Sequence, residues 1–367
     1  MIQTNRLDMG FYKYQQEFED RAIEVLRSGW YVLGHQVEEF EREFAEYIGS
    51  SYCVGLGNGL DALKLAFRAL EIGPGDEVIV QANTYIASVM GITMNGATPV
   101  LVEPDEYFGI NPGAVEAAIT HRTKAVLVVH LYGHPCQMQE ISDICKRHSL
   151  YLVEDCAQSH GARDRGKMTG TFGDVGCFSF YPTKNLGAFG DAGAVVTESE
   201  KLRDKFRMLR NYGSAKRYYN EVVGENTRLD EMQAGLLRVR LSHIEELTRE
   251  REKIAEKYMA GIKNPLIRLP RVREEVRCVW HQFVVRCDKR DELAEYLKER
   301  GIGTIIHYPI PPHLSKAYEY LGFARGAFPL TEEYADTVLS IPIYNGLTTE
   351  DQEQVIRALN EFRGERS

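Results

Sequence analysis

Two residues in the middle of the chain have the types and the setting that covalent catalysis requires. Lys184 follows an apolar run that ends at Phe180, and Asp155 follows the apolar run 150–153. A lysine that forms a Schiff base must be fixed, partly removed from water, and close to an electron-withdrawing ring whose nitrogen is held by a carboxylate. Either residue alone is more often a surface loop lysine or a solvated strand end. Together they predict Schiff-base chemistry at Lys184, with Asp155 paired to a cationic partner.

A glycine-rich segment could supply an anion site for the same chemistry. Residues 55–60 read Gly-Leu-Gly-Asn-Gly-Leu and precede a helical pattern over residues 61–70. Glycines let backbone amides approach an anion, and the start of a helix adds a positive dipole end. The segment matches neither the dinucleotide-binding nor the P-loop pattern. Because such a turn is as often structural as ligand-binding, it predicts a phosphate cradle only together with other motifs.

These residues need a sheet to bring them together, and the sequence predicts one. Short apolar runs alternate with helical patterns from residue 52 onward. The runs cover residues 77–80, 99–102, 125–129, 150–153, 176–180 and 194–196. Apolar strands separated by helices are typical of an α/β fold whose mostly parallel sheet is covered on both faces. Ligands bind at the carboxyl ends of such strands, so we expect Tyr85, His130, Asp155 and Lys184 at one edge of the sheet.

Helical patterns indicate how the chain divides. Residues 15–28 and 36–47 are predicted to be amphipathic helices that serve packing. Residues 228–260 form a long charged amphipathic stretch, which predicts a helix that joins two domains. We place the boundary near residue 245. The expected organisation is a large domain over residues 1–245 and a small α+β domain over residues 246–367.

Composition limits the partners of the chain. Its 367 residues are 44% hydrophobic, enough for a large core, and the formal net charge is −9. Phosphate-backbone binding depends on clustered Lys and Arg, so no nucleic-acid partner is expected. Residues 1–10 lack the apolar segment of a secretory signal, and no window is apolar enough to span a membrane. The expected location is therefore cytoplasmic, with no membrane partner.

The cysteine and histidine patterns give no sign of a metal centre. The seven cysteines are scattered and never fall in a C-x-x-C spacing, which argues against a disulfide framework or an iron–sulfur cluster. His130 and His134 stand four residues apart, but Gly133 and Pro135 disfavour the helix that would align them. We therefore expect no metal.

Five segments together carry a resemblance to a known family. They are N-G-L-D-A-L (58–63), E-D-C-A-Q-S-H-G (154–161), G-D-V-G-C-F-S-F-Y-P-T-K-N-L-G (173–187), G-D-A-G-A (190–194) and L-R-N-Y-G-S (209–214). With this set the chain resembles the sugar aminotransferases of the DegT/DnrJ/EryC1/StrS family. The resemblance implies the pyridoxal 5'-phosphate (PLP)-dependent aspartate-aminotransferase fold (fold type I), with a seven-stranded, mostly parallel sheet in the large domain. It also implies PLP as the cofactor and a homodimer with two shared active sites.

The resemblance implies a role for each matching residue. Lys184 forms the Schiff base with PLP, and Asp155 pairs with the pyridinium nitrogen. Tyr85 stacks on the ring, and Gln158 lies near the ring oxygen. The expected contacts to the cofactor phosphate are Gly59, Leu60, Ser179 and, across the dimer, Asn226 of the partner subunit.

The activity implied by the resemblance is transfer of an amino group from L-glutamate to C3 of a dTDP-3-keto-6-deoxyhexose. Tyr181, Tyr308 and His313 are the candidate contacts to this nucleotide-linked sugar. Three alternatives remain: amination at C4 of a UDP- or dTDP-4-keto sugar, a PLP-dependent sugar dehydrase, and a regulatory protein that has lost the chemistry. Lys184 disfavours the dehydrase, which typically has histidine there. The intact set of Asp155, Ser179 and Lys184 disfavours the regulatory protein.

Overall fold

A seven-stranded sheet organises the larger part of the chain in the computed structural model, which describes residues 1–364. The strands are β1 (Tyr52–Leu56), β2 (Glu77–Gln81), β3 (Thr98–Val102), β4 (Thr123–Val129), β5 (Tyr151–Asp155), β6 (Arg163–Asp164), β7 (Lys167–Met168), β8 (Val175–Ser179), β9 (Gly193–Thr197), β10 (Ser214–Lys216), β11 (Tyr219–Asn220), β12 (Val276–Arg277), β13 (Phe283–Arg286) and β14 (Val338–Ile341). The large sheet has the order β1-β9-β8-β5-β4-β2-β3.

Most of this sheet is parallel, as the sequence predicts. The pairs β2–β3, β2–β4, β4–β5 and β5–β8 are parallel, whereas β9 runs antiparallel to both β1 and β8. Each predicted apolar run lies on a strand of this sheet. The seventh strand, β1, was not among the predicted runs. Since β1 is antiparallel to β9, it runs in the same direction as β8. The carboxyl ends of β1, β2, β4, β5 and β8 therefore share one edge.

Helices cover both faces of the sheet and build the C-terminal part. They are α1 (Leu7–Lys13), α2 (Gln15–Ser28), α3 (His35–Ile48), α4 (Gly59–Ala69), α5 (Ile86–Thr93), α6 (Pro112–Ala117), α7 (Met138–Arg147), α8 (Glu200–Leu209), α9 (Glu231–Ser242), α10 (Ile244–Gly261), α11 (Arg290–Glu299), α12 (Pro329–Thr337) and α13 (Thr349–Glu361). Helices α2 and α3 confirm the two predicted N-terminal helices. Among residues 1–364, no helix is long and apolar enough to cross a membrane.

The prediction of one long helix over residues 228–260 is wrong. The stretch is two helices, α9 and α10, that meet at His243, where the backbone leaves the helical conformation. The two halves have different packing partners: α9 lies against α2 and α3, and α10 lies against α13. The apolar spacing continues across the break, so periodicity alone did not reveal it.

A second hydrophobic core lies in the C-terminal part of the chain. Its buried side chains come from α10, α11, α13, β13 and β14 and include Tyr258, Phe283, Leu339 and Val355. Ile2 joins this core from the N-terminus. The start of α10 lies close to the predicted boundary near residue 245, which stays a prediction.

Candidate active site

The shared edge of the sheet opens into a cavity of about 620 Å³. Ligand pockets for small molecules fall in this size range. Asp155 ends β5, Ser179 ends β8, and Lys184 lies in the turn that follows β8. The predicted residues that line the cavity are Gly59, Leu60, Tyr85, Asp155, Gln158, Ser179, Tyr181, Lys184 and Tyr308.

The glycine-rich turn after β1 forms one end of the cavity. Asn58 caps α4, because its side-chain oxygen accepts a hydrogen bond from the Asp61 amide at 2.8 Å. A Cβ atom on Gly59 would lie 2.5 Å from the Cβ of Ser179, so only glycine fits here. The close approach places the Ser179 hydroxyl beside the first amides of α4. This arrangement suits a phosphate group.

Asp155 is a buried carboxylate with two hydrogen-bond donors. The Ala157 amide donates to Oδ1 at 3.1 Å, and the Ser88 hydroxyl donates to Oδ2 at 2.8 Å. Burial raises the pKa of Asp155, while these two donors and the charge of Lys184 act in the opposite direction. The Ser88 hydroxyl also lies 2.8 Å from the Thr84 hydroxyl. The hydroxyl groups of Thr84, which precedes α5, and Ser88, in α5, thus position the carboxylate.

Lys184 faces the same cavity from a tight turn, in which its amide donates to the Tyr181 carbonyl at 2.8 Å. Burial lowers the pKa of Lys184 to about 8, and the charge of Asp155 opposes this shift. Within residues 1–364, no carboxylate lies within 4.0 Å of its ammonium group. An unpaired amine with a lowered pKa is the form of lysine that acts as a nucleophile or a base.

Polar and aromatic side chains form the remaining wall of the cavity. Gln158 accepts a hydrogen bond from the Tyr132 amide at 2.6 Å and donates one to the Tyr308 hydroxyl at 3.1 Å. The rings of Tyr85 and Tyr308 lie 5.1 Å apart. Tyr181 is half exposed at the cavity. The cavity therefore offers an aromatic face, an amide and hydroxyl groups beside the Lys184 amine.

Two predicted residues lie elsewhere. His313 is buried away from the cavity, and its Nε2 lies 3.1 Å from the Glu332 carboxylate. His313 therefore does not face the cavity of its own chain, and substrate contact at His313 stays a prediction. Asn226 is exposed and does not line the cavity of its own chain.

Ser88, His281 and His307 are among the cavity residues that were not predicted from the sequence. His281 Nδ1 lies 2.9 Å from the Asn185 side chain, and His307 Nδ1 lies 2.7 Å from the Ser340 hydroxyl. Burial, followed by the charge of Lys184, lowers the pKa of His307 to about 4 and that of His281 well below its usual range. Both imidazoles are therefore neutral near pH 7. His281 and His307 lie about 100 or more residues after Lys184 in the sequence. They reach the cavity only through tertiary packing, so no local sequence pattern predicts them.

The carboxylate next to Asp155 has a structural role. Glu154 accepts hydrogen bonds from the amides of Gly170, Phe172 and Gly173, and its Oε2 lies 3.1 Å from His130 Nε2. Although His130, Glu154 and Cys156 lie close enough to hold a metal ion, these contacts already use the oxygens of the carboxylate. The group is therefore explained by hydrogen bonding within the core.

Sequence comparison identifies the family. A model of the DegT/DnrJ/EryC1/StrS aminotransferase family matches residues 13–360. The chain belongs to this family. It is 50% identical to dTDP-3-amino-3,6-dideoxy-alpha-D-galactopyranose transaminase of Aneurinibacillus thermoaerophilus, with 95% of this chain and 96% of that enzyme covered. It is 48% identical to dTDP-3-amino-3,4,6-trideoxy-alpha-D-glucose transaminase of Streptomyces venezuelae, with 97% and 94% covered.

Solved structures agree with this assignment. The crystal structure of DesV from S. venezuelae in complex with a ketimine intermediate superposes with a TM-score of 0.97, at 47% identity and over 100% of this chain and 99% of DesV. The PLP form of Spr1654 from Streptococcus pneumoniae gives a TM-score of 0.88 at 27% identity, over 94% of this chain and 95% of that chain. The fold is therefore the α/β fold of the family's aminotransferases, and its solved members include PLP-bound forms.

Proposed function

We propose that this chain is a PLP-dependent aminotransferase that moves an amino group from L-glutamate to C3 of a dTDP-3-keto-6-deoxyhexose. The observation that carries the proposal is the presence of Lys184 and Asp155 on the wall of one cavity. PLP chemistry requires two groups from a protein: a lysine amine that reacts with the aldehyde and a carboxylate that pairs with the ring nitrogen.

The residues of the cavity fit PLP in size and chemistry. The Gly59 turn, the start of α4 and Ser179 suit its phosphate, because the missing side chain at Gly59 leaves the amides accessible. Asp155 offers a carboxylate to the ring nitrogen, and Tyr85 offers an aromatic face. Gln158 lines the same cavity, and its Nε2, which donates one hydrogen bond to Tyr308, has a second N–H for a ring oxygen.

Two side chains perform the proton chemistry. When bound, PLP withdraws electrons from the C–H bond that is broken at the amino-bearing carbon. Asp155 keeps a proton on the ring nitrogen while it stays ionised, and the Ser88 hydroxyl favours that ionised form. Lys184 Nζ has a pKa of about 8, so the free amine is accessible near neutral pH and can take the proton from carbon and return it. The neutral His281 and His307 add no competing charge beside Nζ.

The sugar class rests on the relatives. The two transaminases named above, at 50% and 48% identity, are both named for C3-amino sugars linked to dTDP. This supports C3 over C4 and dTDP over UDP as the carrier. Tyr181 and Tyr308 line the cavity where the sugar would lie, and their hydroxyl groups are candidate contacts to it.

Separate half-reactions test the proposal. L-Glutamate should bleach the visible absorbance of the purified holoenzyme, and after removal of glutamate a dTDP-3-keto-6-deoxyhexose should restore it. A panel of dTDP- and UDP-linked 3-keto and 4-keto sugars decides the acceptor. Restoration by 4-keto sugars alone would contradict the C3 assignment, and no bleaching by glutamate would contradict the donor. The Lys184→Arg variant is the control that keeps the charge but lacks a reactive amine.

We further propose that the enzyme is a homodimer with shared sites. Lys184 is the only Lys or Arg of the described chain that lines the cavity, yet a nucleotide-linked sugar carries a diphosphate. The exposed hairpin of β10 and β11 carries Lys216 and Arg217, and the tyrosines beside them, Tyr218 and Tyr219, are 82% and 64% exposed. Cations and exposed aromatic rings on one hairpin are typical of a surface that a second subunit covers.

Complementation between inactive variants tests sharing. We expect Asn226→Ala to weaken PLP retention by about 1.5–3 kcal/mol, the cost of losing a hydrogen bond to a charged group. Mixing Lys184→Ala with an inactive Asn226 variant after reversible dissociation places both changes in one site and leaves the other intact. The mixed dimer should regain up to about half of wild-type activity if each site is shared. No recovery in verified mixed dimers would place Asn226 outside the neighbouring site.

A further inference from the structure

A second, much smaller cavity lies on the other side of the Lys184 turn. Its volume is about 30 Å³, and its walls come from the N-terminal segment, the Lys184 turn, α9 and α10. The residues that matter for its chemistry are Gly10, Lys184, Asn185, Arg240, Arg251 and Asn345. Such a space holds one or two water molecules or a single small ion.

Two guanidinium groups line this cavity, of which Arg251 is buried and Arg240 is partly buried. Arg240, near the end of α9, donates from Nη1 to the Gly187 carbonyl at 2.8 Å. Arg251, in α10, donates from Nε to the Asn345 side chain at 3.2 Å and from Nη1 to backbone carbonyls. Burial lowers the pKa of Arg240. Burial and then the charge of Arg240 lower the pKa of Arg251 to about 10, and the charge of Glu250 opposes this shift. The two cations therefore repel each other in a poorly solvated space.

Neither guanidinium is within 4.0 Å of a carboxylate in residues 1–364, whereas other buried arginines are. Arg210 contacts Glu41, and Arg273 lies 3.3 Å from Asp164. Removing an arginine from water without a counter-charge costs several kcal/mol. Arg240 and Arg251 are thus the exception that needs an explanation.

The carboxylates nearest to the cavity are already engaged. Asp8 pairs with Arg6, whose side chain reaches the cavity wall. Glu250 lies 3.2 Å from Lys13 and accepts a hydrogen bond from the Gly346 amide at 2.7 Å. Glu250 therefore acts on Arg251 only from beyond 4.0 Å and is shared with Lys13, and no carboxylate of residues 1–364 contacts either guanidinium group.

We propose that this cavity binds one small inorganic anion, of the size and charge of chloride, between Arg240 and Arg251. Water would fill the space but would not offset two positive charges. L-Glutamate, a phosphate ester or a nucleotide is too large for about 30 Å³. The site is distinct from the substrate cavity and goes beyond the proposed transamination. Its anion would join the N-terminal segment, the Lys184 turn and the two helices that meet at His243.

Diffraction with bromide tests the site directly. Bromide replaces chloride and scatters anomalously, so crystals of the full chain soaked in bromide should show an anomalous peak within hydrogen-bonding distance of Arg240 and Arg251. Density for water alone at this position, without an anomalous signal, would overturn the proposal. The experiment uses the unmodified protein and does not depend on any variant folding.

Thermal unfolding tests the site in solution. At constant ionic strength, replacing gluconate with chloride should raise the Tm of the wild type by roughly 2–4 °C, since an anion that binds only the folded state stabilises it. Arg240→Gln should lose this increment, whatever its Tm in gluconate. The matched control is Arg249→Gln, which removes the same charge from an exposed position of α10 and should keep the increment. Equal increments in both variants would refute the site.

Discussion

Two of the buried pairs of opposite charges in residues 1–364 are built differently. Arg210, which follows α8, donates from Nη1 to the Glu41 carboxylate of α3 and to the Gly55 carbonyl. Glu41 also accepts the Gly55 amide at 2.8 Å. Lys184 and Asp155 instead line one cavity without an ion pair between them. The two charges of the first pair contact each other within the fold, whereas the second pair is open to a ligand.

The contrast separates charges that hold the fold from charges that do chemistry. Breaking a closed buried pair leaves an uncompensated charge and destabilises the protein. Removing Lys184 or Asp155 should instead remove reactivity, because each of these side chains is expected to contact a ligand and not another side chain. The following predictions test this distinction.

The largest effect is expected at Lys184. Lys184→Ala should lower kcat by roughly four orders of magnitude or more, because it removes the nucleophile and the proton carrier together. The unfolding midpoint of the cofactor-free protein should stay close to that of the wild type, since no ion pair is lost. Steady-state kinetics and thermal unfolding measure the two effects. Near-normal kcat in Lys184→Ala would show that this lysine is not catalytic.

Asp155→Asn should reduce kcat/KM by about 100-fold or more, because a neutral amide no longer keeps the ring nitrogen protonated. Asp174, which precedes β8 and accepts the Leu152 amide at 2.8 Å, gives the matched control. Asp174→Asn lies at the opposite end of the strand and should retain activity. Wild-type kcat/KM in Asp155→Asn with the cofactor bound would show that Asp155 is only a carboxylate at the end of a strand, without a catalytic role.

Arg210→Ala should lower stability and leave activity nearly unchanged, the opposite of the two variants above. Loss of this guanidinium leaves Glu41 buried and unpaired, which should lower the free energy of unfolding by about 3–5 kcal/mol. The activity of the protein that remains folded should change little. Denaturant unfolding at fixed protein concentration measures the loss. The double variant Arg210→Met with Glu41→Gln should recover part of it, and equal stability of single and double variants would refute the pairing.

The smallest effect is expected at Ser88, a positioning residue for Asp155. Removing its hydroxyl in Ser88→Ala deletes a donor that favours the ionised carboxylate, so the pKa of Asp155 should rise further. The acidic limb of the kcat profile should therefore move to higher pH, with about a tenfold loss on that limb. Ser88→Thr, which keeps a hydroxyl, should restore the profile. An unshifted limb in Ser88→Ala would exclude this role.

Much of the site was accessible from local sequence. Asp155 and Lys184 each follow a predicted strand, and parallel strands bring their carboxyl ends to one edge. Tyr85, Asp155 and Lys184 therefore converged on one cavity, whereas His130, predicted at the same edge, is buried beside Glu154. Gly59 was predicted for the same reason, since a glycine turn before a helix is a local pattern. His313 was predicted to contact the substrate because the family resemblance places its segment near the substrate entrance, and its contact with Glu332 could not be read from the sequence.

The sequence by itself determined most strands of the large sheet, the family and the two candidate catalytic side chains, because apolar runs and short motifs depend on neighbours along the chain. Tertiary structure alone decided which groups surround them. Ser88 reaches Asp155 from α5, and His281 and His307 arrive from the C-terminal part. It also decided that the stretch 228–260 breaks at His243 and that Arg240 and Arg251 share a cavity. Contacts between residues far apart in sequence follow from how whole elements pack, and no local pattern encodes that packing.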